Sequence, residues 1–97
     1  MRFDWDEDKA ASNLKKHNVS FDDASEAFDD EFCFDIYDDA HSNFDEDHFL
    51  ILGLTKNGVL IVAYTVREAE TYRIISARKA ARHEEDVYWN ERAKHKY

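Results

Sequence analysis

The run Phe49-Leu50-Ile51-Leu52-Gly53-Leu54-Thr55-Lys56-Asn57-Gly58-Val59-Leu60-Ile61-Val62-Ala63-Tyr64-Thr65-Val66 reads as two strands and the turn between them. Both arms are rich in branched and aromatic side chains, which suit a pleated, half-buried surface. Asn57-Gly58 between them is a strong hairpin signal. Outward toward the C-terminus, Tyr72–Ala77 is a further strand, so the hairpin extends into an antiparallel meander. Lys79 to about Arg92 then reads as a charged helix with Ala80, Glu84, Val87, Tyr88 and Glu91 on one face. Residues 93–97 are expected to fray.

Outward toward the N-terminus, Phe32, Phe34 and Ile36 alternate with Cys33, Asp35 and Tyr37 at strand spacing. Ser20 and Asp23 have capping-box spacing at the start of a short helix that buries Phe21, Ala24 and Phe28. A longer helix precedes it, capped by Asp6 and ending at His17, with Ala10, Ala11 and Leu14 as its apolar stripe. Asn18 is suited to the left-handed conformation that stops it. Arg2–Trp5 is a short opening strand. The order is strand, two helices, antiparallel meander, helix. It predicts an α+β fold with helices on one face of the sheet.

Ninety-seven residues are expected to form one domain, spanning 1–97. A hydrophobic fraction of 43% with 14% aromatics supplies one modest core. No run of 18 apolar residues exists, and the N-terminus carries acid where a secretion signal would carry base. Cys33 is the only cysteine, so a reducing, cytoplasmic setting is expected, without a membrane. The formal charge is −9, unevenly placed: residues 1–50 hold 4 Lys/Arg against 16 Asp/Glu, and residues 51–97 hold 9 against 6. Any anion-binding face should therefore draw mainly on the second half, while the acidic half favours a basic partner.

The segment Arg73-Ile74-Ile75-Ser76-Ala77-Arg78-Lys79-Ala80 concentrates cations in this acidic chain. Arginine forks at a strand-to-helix corner suit a phosphate. Alternation puts Arg67 with Ile61, Ala63 and Thr65, and an antiparallel meander can bring Arg67, Arg73 and Arg78 together. Three cations facing one cavity would stabilise a pentacoordinate phosphate. The competing reading is three separate salt bridges with Glu68, Glu70 and Glu84. His17 follows Lys15-Lys16, a cationic setting that favours the neutral, base-competent imidazole; the alternative is a helix C-terminal residue meeting the last carbonyls. Tyr88 faces the sheet, either as an acid or as a buried tyrosine with its hydroxyl bonded. Asp38, Asp39, His41, Asp45, Glu46, Asp47 and His48 lack the glycine and closing glutamate of a calcium loop and read as a solvated acidic loop. The chain has no P-loop, dinucleotide glycine pattern, nucleophile elbow or Cys-x-x-Cys.

Taken in order, Phe3-Asp4-Trp5-Asp6, Lys15-Lys16-His17-Asn18-Val19-Ser20-Phe21, Ala27-Phe28-Asp29-Asp30 and Arg73–Ala80 resemble the BrnT family of bacterial type II toxins. The likeness runs over about residues 2–90. It implies a RelE/ParE-like fold and a ribonuclease that slows translation without metal or other cofactor. It also implies a cognate BrnA-like antitoxin whose DNA-binding half represses the shared operon, so that the toxin itself touches no DNA. The RNA substrate would be free or ribosome-associated. Arg67 and Arg78 match family arginines and are assigned to the phosphate, with Lys16, Arg73, Lys79 and Arg82 as further RNA contacts. Trp5 matches an early tryptophan that either packs or stacks a base. His17 falls in the family's Lys-His string and is inferred to be the base; Tyr88 is offered as the acid. Asn18 departs from the family's usual glycine, and the first half is more acidic than a nuclease needs. A second reading is therefore a non-catalytic acidic module that holds a basic antitoxin. A third is a metal-dependent nuclease built on the Asp38–His48 loop.

Overall fold

The computed structural model describes residues 1–43 and 46–95. Five strands form one sheet in the order β1-β5-β4-β3-β2, with β1 Arg2–Asp4, β2 Phe34–Tyr37, β3 Phe49–Thr55, β4 Gly58–Arg67 and β5 Thr71–Lys79. The three consecutive pairings β2–β3, β3–β4 and β4–β5 are antiparallel, and β1 joins the open edge of β5 in parallel. The expected meander is present. Lys56-Asn57 makes its tightest turn, and the positive φ that the turn needs (93°) falls on Gly58, opposite Thr55.

Among the described residues three helices complete the fold: α1 Glu7–His17, α2 Phe21–Ser25 and α3 Arg82–Lys94, with a 3-10 turn at Glu26–Asp29 after α2. The caps of the first two are as expected. Asp6 accepts from the backbone N–H of Asp8 and Lys9, Asn18 adopts φ 57° and ψ 33°, and Ser20 Oγ accepts from Asp23 N–H at 3.0 Å. The 3-10 turn lies close on β3: a Cβ on Gly53 would sit 2.3 Å from the Ala27 carbonyl oxygen. Only glycine allows that approach.

Strand alternation divides the core into two layers. One face carries Ile51, Leu60, Val62, Tyr64, Ile74 and Ala77 against Val19, Phe21, Ala24 and Ala27 of the α1–α2 region. The opposite face carries Leu52, Val59 and Ile61 under Tyr88 of α3. The helices thus cover both faces, not the single face expected. The unbroken apolar character of β3 and β4 is what a strand buried on both sides requires.

Two helix boundaries and one buried face also depart from expectation. β5 continues to Lys79, which pairs with Leu60, and Ala80 N–H donates to the Val59 carbonyl at 3.0 Å. That hydrogen bonding holds the chain extended, so α3 starts only at Arg82. At its other end the helix runs through Lys94, and the His95 ring meets Phe32 at 6.4 Å. The helix thus ends two residues beyond the expected Arg92, while Lys96 and Tyr97 lie outside the described residues. In α1 the buried side chain is Asn13, whereas Leu14 is 48% exposed. Asn13 Nδ2 donates to the carbonyls of Ala77 (2.8 Å) and Val19 (3.0 Å), and its Oδ1 accepts from Ala77 N–H (3.1 Å). β1 covers β5 only over residues 71–73. Beyond that, one side-chain amide satisfies the open strand edge as a neighbouring strand would.

Candidate functional site

The register places Arg67, Arg73 and Arg78 on one face of the sheet: Arg73 opposes Thr65, Arg78 opposes Ile61, and Arg67 follows Thr65 at even spacing. They do not share a cavity. Arg67 and Arg73 line an 860 Å³ cleft at the far end of β4 and β5, together with Thr65, Asp4, Glu46, Asp47 and Glu68. Inside it Arg67 pairs with Glu46 and Arg73 with Asp4, each at 3.1 Å. Asp47 and Glu68 leave that cleft with more carboxylates than cations.

Arg78 lies at the other end of β5 and is gripped by α3. Both its terminal nitrogens donate to Glu84, at 2.8 and 2.9 Å, and Glu84 also accepts from Ala81 N–H at 2.7 Å. The Arg78 guanidinium pulls the Glu84 carboxyl down to about 2. The sequence had named Glu84 as an alternative partner for this arginine. The other two arginines found Glu46 and Asp4 instead of Glu68 and Glu70. Lys79 and Arg82 are exposed at the β5–α3 corner.

Tyr88 is fully buried. Its hydroxyl donates to Asp30 and accepts from Arg92 at 3.2 Å, and its ring stacks on Phe34. Burial, reinforced by the Asp30 carboxylate, pushes the phenol up to about 12. A group with no solvent face cannot hand a proton to an RNA, so the expected acid role gives way to anchoring α3. Asp30 also accepts from the N–H of Phe32 and Leu54, so it ties the α2–β2 turn, β3 and α3 together. Burial raises the Asp30 carboxyl, but these donors outweigh it and leave it lowered. Trp5 is half-buried: its ring sits edge-on to Phe21 and its Nε1 donates to Glu7 at 3.0 Å.

The histidines divide by partner. His41 meets Asp38 and His48 meets Glu46, each at 2.8 Å. His83 is exposed on α3. His17, at the last turn of α1, is half-buried, has no carboxylate partner among the described residues, and lines a 230 Å³ crease between α1 and β5. Lys9, Ser12, Asn13, Lys16, Ile75 and Ser76 complete that crease. The expected base His17 and the expected RNA contact Lys16 thus line one crease, with Lys9, Ser12 and Ser76, which the sequence analysis did not single out. The signal was available, because residues 9, 12, 13, 16 and 17 follow the i, i+3, i+4, i+7, i+8 spacing of one helix face.

Asp38, Glu46 and Asp47 of the acidic loop are already partnered: besides the two histidine pairs and the Glu46–Arg67 pair, Asp47 accepts from Tyr37 Oη at 3.0 Å. Among the described residues no group of three or more His, Cys, Asp or Glu side chains is arranged to hold a metal ion. Asp45, part of the expected loop, lies outside those residues. No helix among the described residues is long and apolar enough to cross a membrane.

Residues 5–84 match the family model described as the ribonuclease toxin BrnT of a type II toxin–antitoxin system. The fold is similar to the crystal structure of the Brucella abortus ribonuclease toxin BrnT. That similarity has a TM-score of 0.62 at 24% identity, over 84% of this chain and 99% of the other. No curated protein matches the chain.

Proposed function

Because the chain belongs to the family of BrnT ribonuclease toxins of type II toxin–antitoxin systems, we propose that it cleaves RNA without a metal ion, using His17 as general base. The observation that carries this is the state of His17: half-buried in a cleft and free of any carboxylate partner among the described residues. An imidazole held this way can take a proton from an incoming hydroxyl.

In this reading the RNA 2′-hydroxyl loses its proton to His17 and its oxygen attacks the adjacent phosphorus. The bond from phosphorus to the 5′-oxygen breaks, and the leaving oxygen takes a proton from water. A 2′,3′-cyclic phosphate and a free 5′-hydroxyl result. Lys16 balances charge on the phosphate, while Arg78 stays bound to Glu84 and does not line the crease. Arg67 and Arg73 receive no phosphate in this scheme, since each already holds a carboxylate in a cleft with excess acid. That acidic cleft instead supports a basic segment of the antitoxin as its partner. Cleavage of cellular RNA in the cytoplasm would slow translation.

The test is direct. Purified protein incubated with RNA in excess EDTA should produce fragments ending in cyclic phosphate, and expression without antitoxin should arrest growth. A folded protein that leaves RNA intact with and without added divalent ions would overturn the enzymatic reading in favour of a binding module. Cleavage abolished by EDTA would favour the metal-dependent alternative.

A further inference from the structure

The crease between α1 and β5 differs in charge from every other cleft described. Four other clefts among the described residues, each of larger volume, include at least one Asp or Glu in their lining. The crease includes none, and it holds two lysines beside His17. In a chain of formal charge −9 this is a local reversal of sign.

The lysines are also available. Lys9 and Lys16 are exposed, and neither takes part in an ion pair among the described residues, whereas Lys56 and Lys94 both do. They stand seven residues apart on one helix face. At 1.5 Å rise per residue that is about 10 Å along the axis, enough for each to hold a different phosphate of one strand. Between them Ser12 offers a hydroxyl, and Ser76 offers another from β5. The floor is rigid, because Asn13 bonds α1 to Ala77 and Val19.

We infer that this crease is the track for the RNA backbone, with Lys9 and Lys16 each neutralising one phosphate of a single strand and so bringing a ribose to His17. The inference rests on the ribonuclease reading and adds to it Lys9, Ser12 and Ser76. Recognition is through the backbone, so it carries little sequence preference. It also accounts for how a strongly acidic protein accepts a polyanion: the strand meets a cleft whose lining holds no carboxylate.

The experiment measures binding of a fluorescein-labelled, fully 2′-O-methylated single-stranded RNA, which cannot be cleaved by 2′-attack, as a function of KCl concentration. Neutralising two phosphates contributes about −1.4 to the slope of log K against log salt for a single strand. Lys9→Gln/Lys16→Gln should lose about that much slope and at least tenfold in affinity at low salt, with its circular dichroism and melting temperature unchanged. Lys56→Gln, a cation outside the crease, should bind as wild type does. Unchanged binding by the double lysine variant, loss of binding instead in Arg67→Gln/Arg73→Gln, or no binding by wild type would each overturn the inference. Cleavage of unmodified RNA is scored separately. Wild type that binds but never cuts ends the ribonuclease reading and leaves the track in place; wild type that cuts while the lysine variant binds normally ends the track alone.

Discussion

Two cation-bearing regions of this molecule carry similar side chains and opposite electrostatics. In the cleft at the far end of β4 and β5, Arg67 and Arg73 face Glu46, Asp4, Asp47 and Glu68. In the α1–β5 crease, Lys9 and Lys16 face serines, Asn13 and an imidazole. The arginines have the better phosphate geometry as free groups, yet they are already partnered. What decides anion binding is the surplus left after local pairing, and of these two regions only the crease on α1 keeps one.

The strongest way to break this contrast is at the imidazole. His17→Gln should lower RNA cleavage by roughly 10²–10⁴-fold, the usual range for a general base. His83→Gln should leave it within about twofold, measured as initial rates on one RNA. Equal losses in both variants would remove the crease from the chemistry.

Next in size is the floor of the crease. Asn13→Ala would leave the Ala77 N–H, the Ala77 carbonyl and the Val19 carbonyl without their partner, costing about 1–3 kcal/mol. Leu14→Ala, on the neighbouring exposed position, should stay within about 0.5 kcal/mol. Urea denaturation of both variants checks the difference, and a Leu14 effect as large as that of Asn13 would contradict the described face of α1.

That pair of residues also marks how far the sequence could be read. Capping signals, the Asn-Gly hairpin and the β-rich arms are local and fix their elements within a few residues, so the α+β order was legible. The burial of Asn13 was not. Its worth depends on the open edge of β5, which is 64 residues away and left uncovered because β1 is short. The ion pairs divide in the same way. Glu84 is six residues from Arg78 and was foreseen, whereas Asp4 is 69 residues from Arg73 and becomes a neighbour only because β1 joins β5 in parallel. The side of the sheet taken by α3 was also hidden, since apolar runs in β3 and β4 permit cover on either face.

A smaller effect sharpens the contrast between paired and free cations. Glu84 titrates at about 2 in the folded protein against an ordinary 4.5, so it contributes stability above about pH 4.5 that is lost as pH falls toward 2. Glu84→Gln should cost about 1 kcal/mol at pH 7, allowing for the partial exposure of Arg78. The gap from wild type should shrink as unfolding is repeated at pH 4, 3 and 2.5. A constant gap would mean that the ion pair is not its source.

The smallest effect is expected in the acidic cleft. Arg67→Gln and Arg73→Gln should each change stability by no more than about 1 kcal/mol, as exposed pairs do, and cleavage by less than about threefold. Calorimetry and the same rate assay read both. A tenfold loss of cleavage in either would move the substrate to that cleft.

Backbone amide shifts in ¹H–¹⁵N spectra, followed while the uncleavable 2′-O-methylated RNA is titrated in, compare the two regions in one sample. The largest changes should fall on Lys9, Ser12, Lys16, His17 and Ser76. Changes centred on Thr65, Arg67 and Arg73, with α1 unmoved, would contradict the crease as the place where RNA meets this protein.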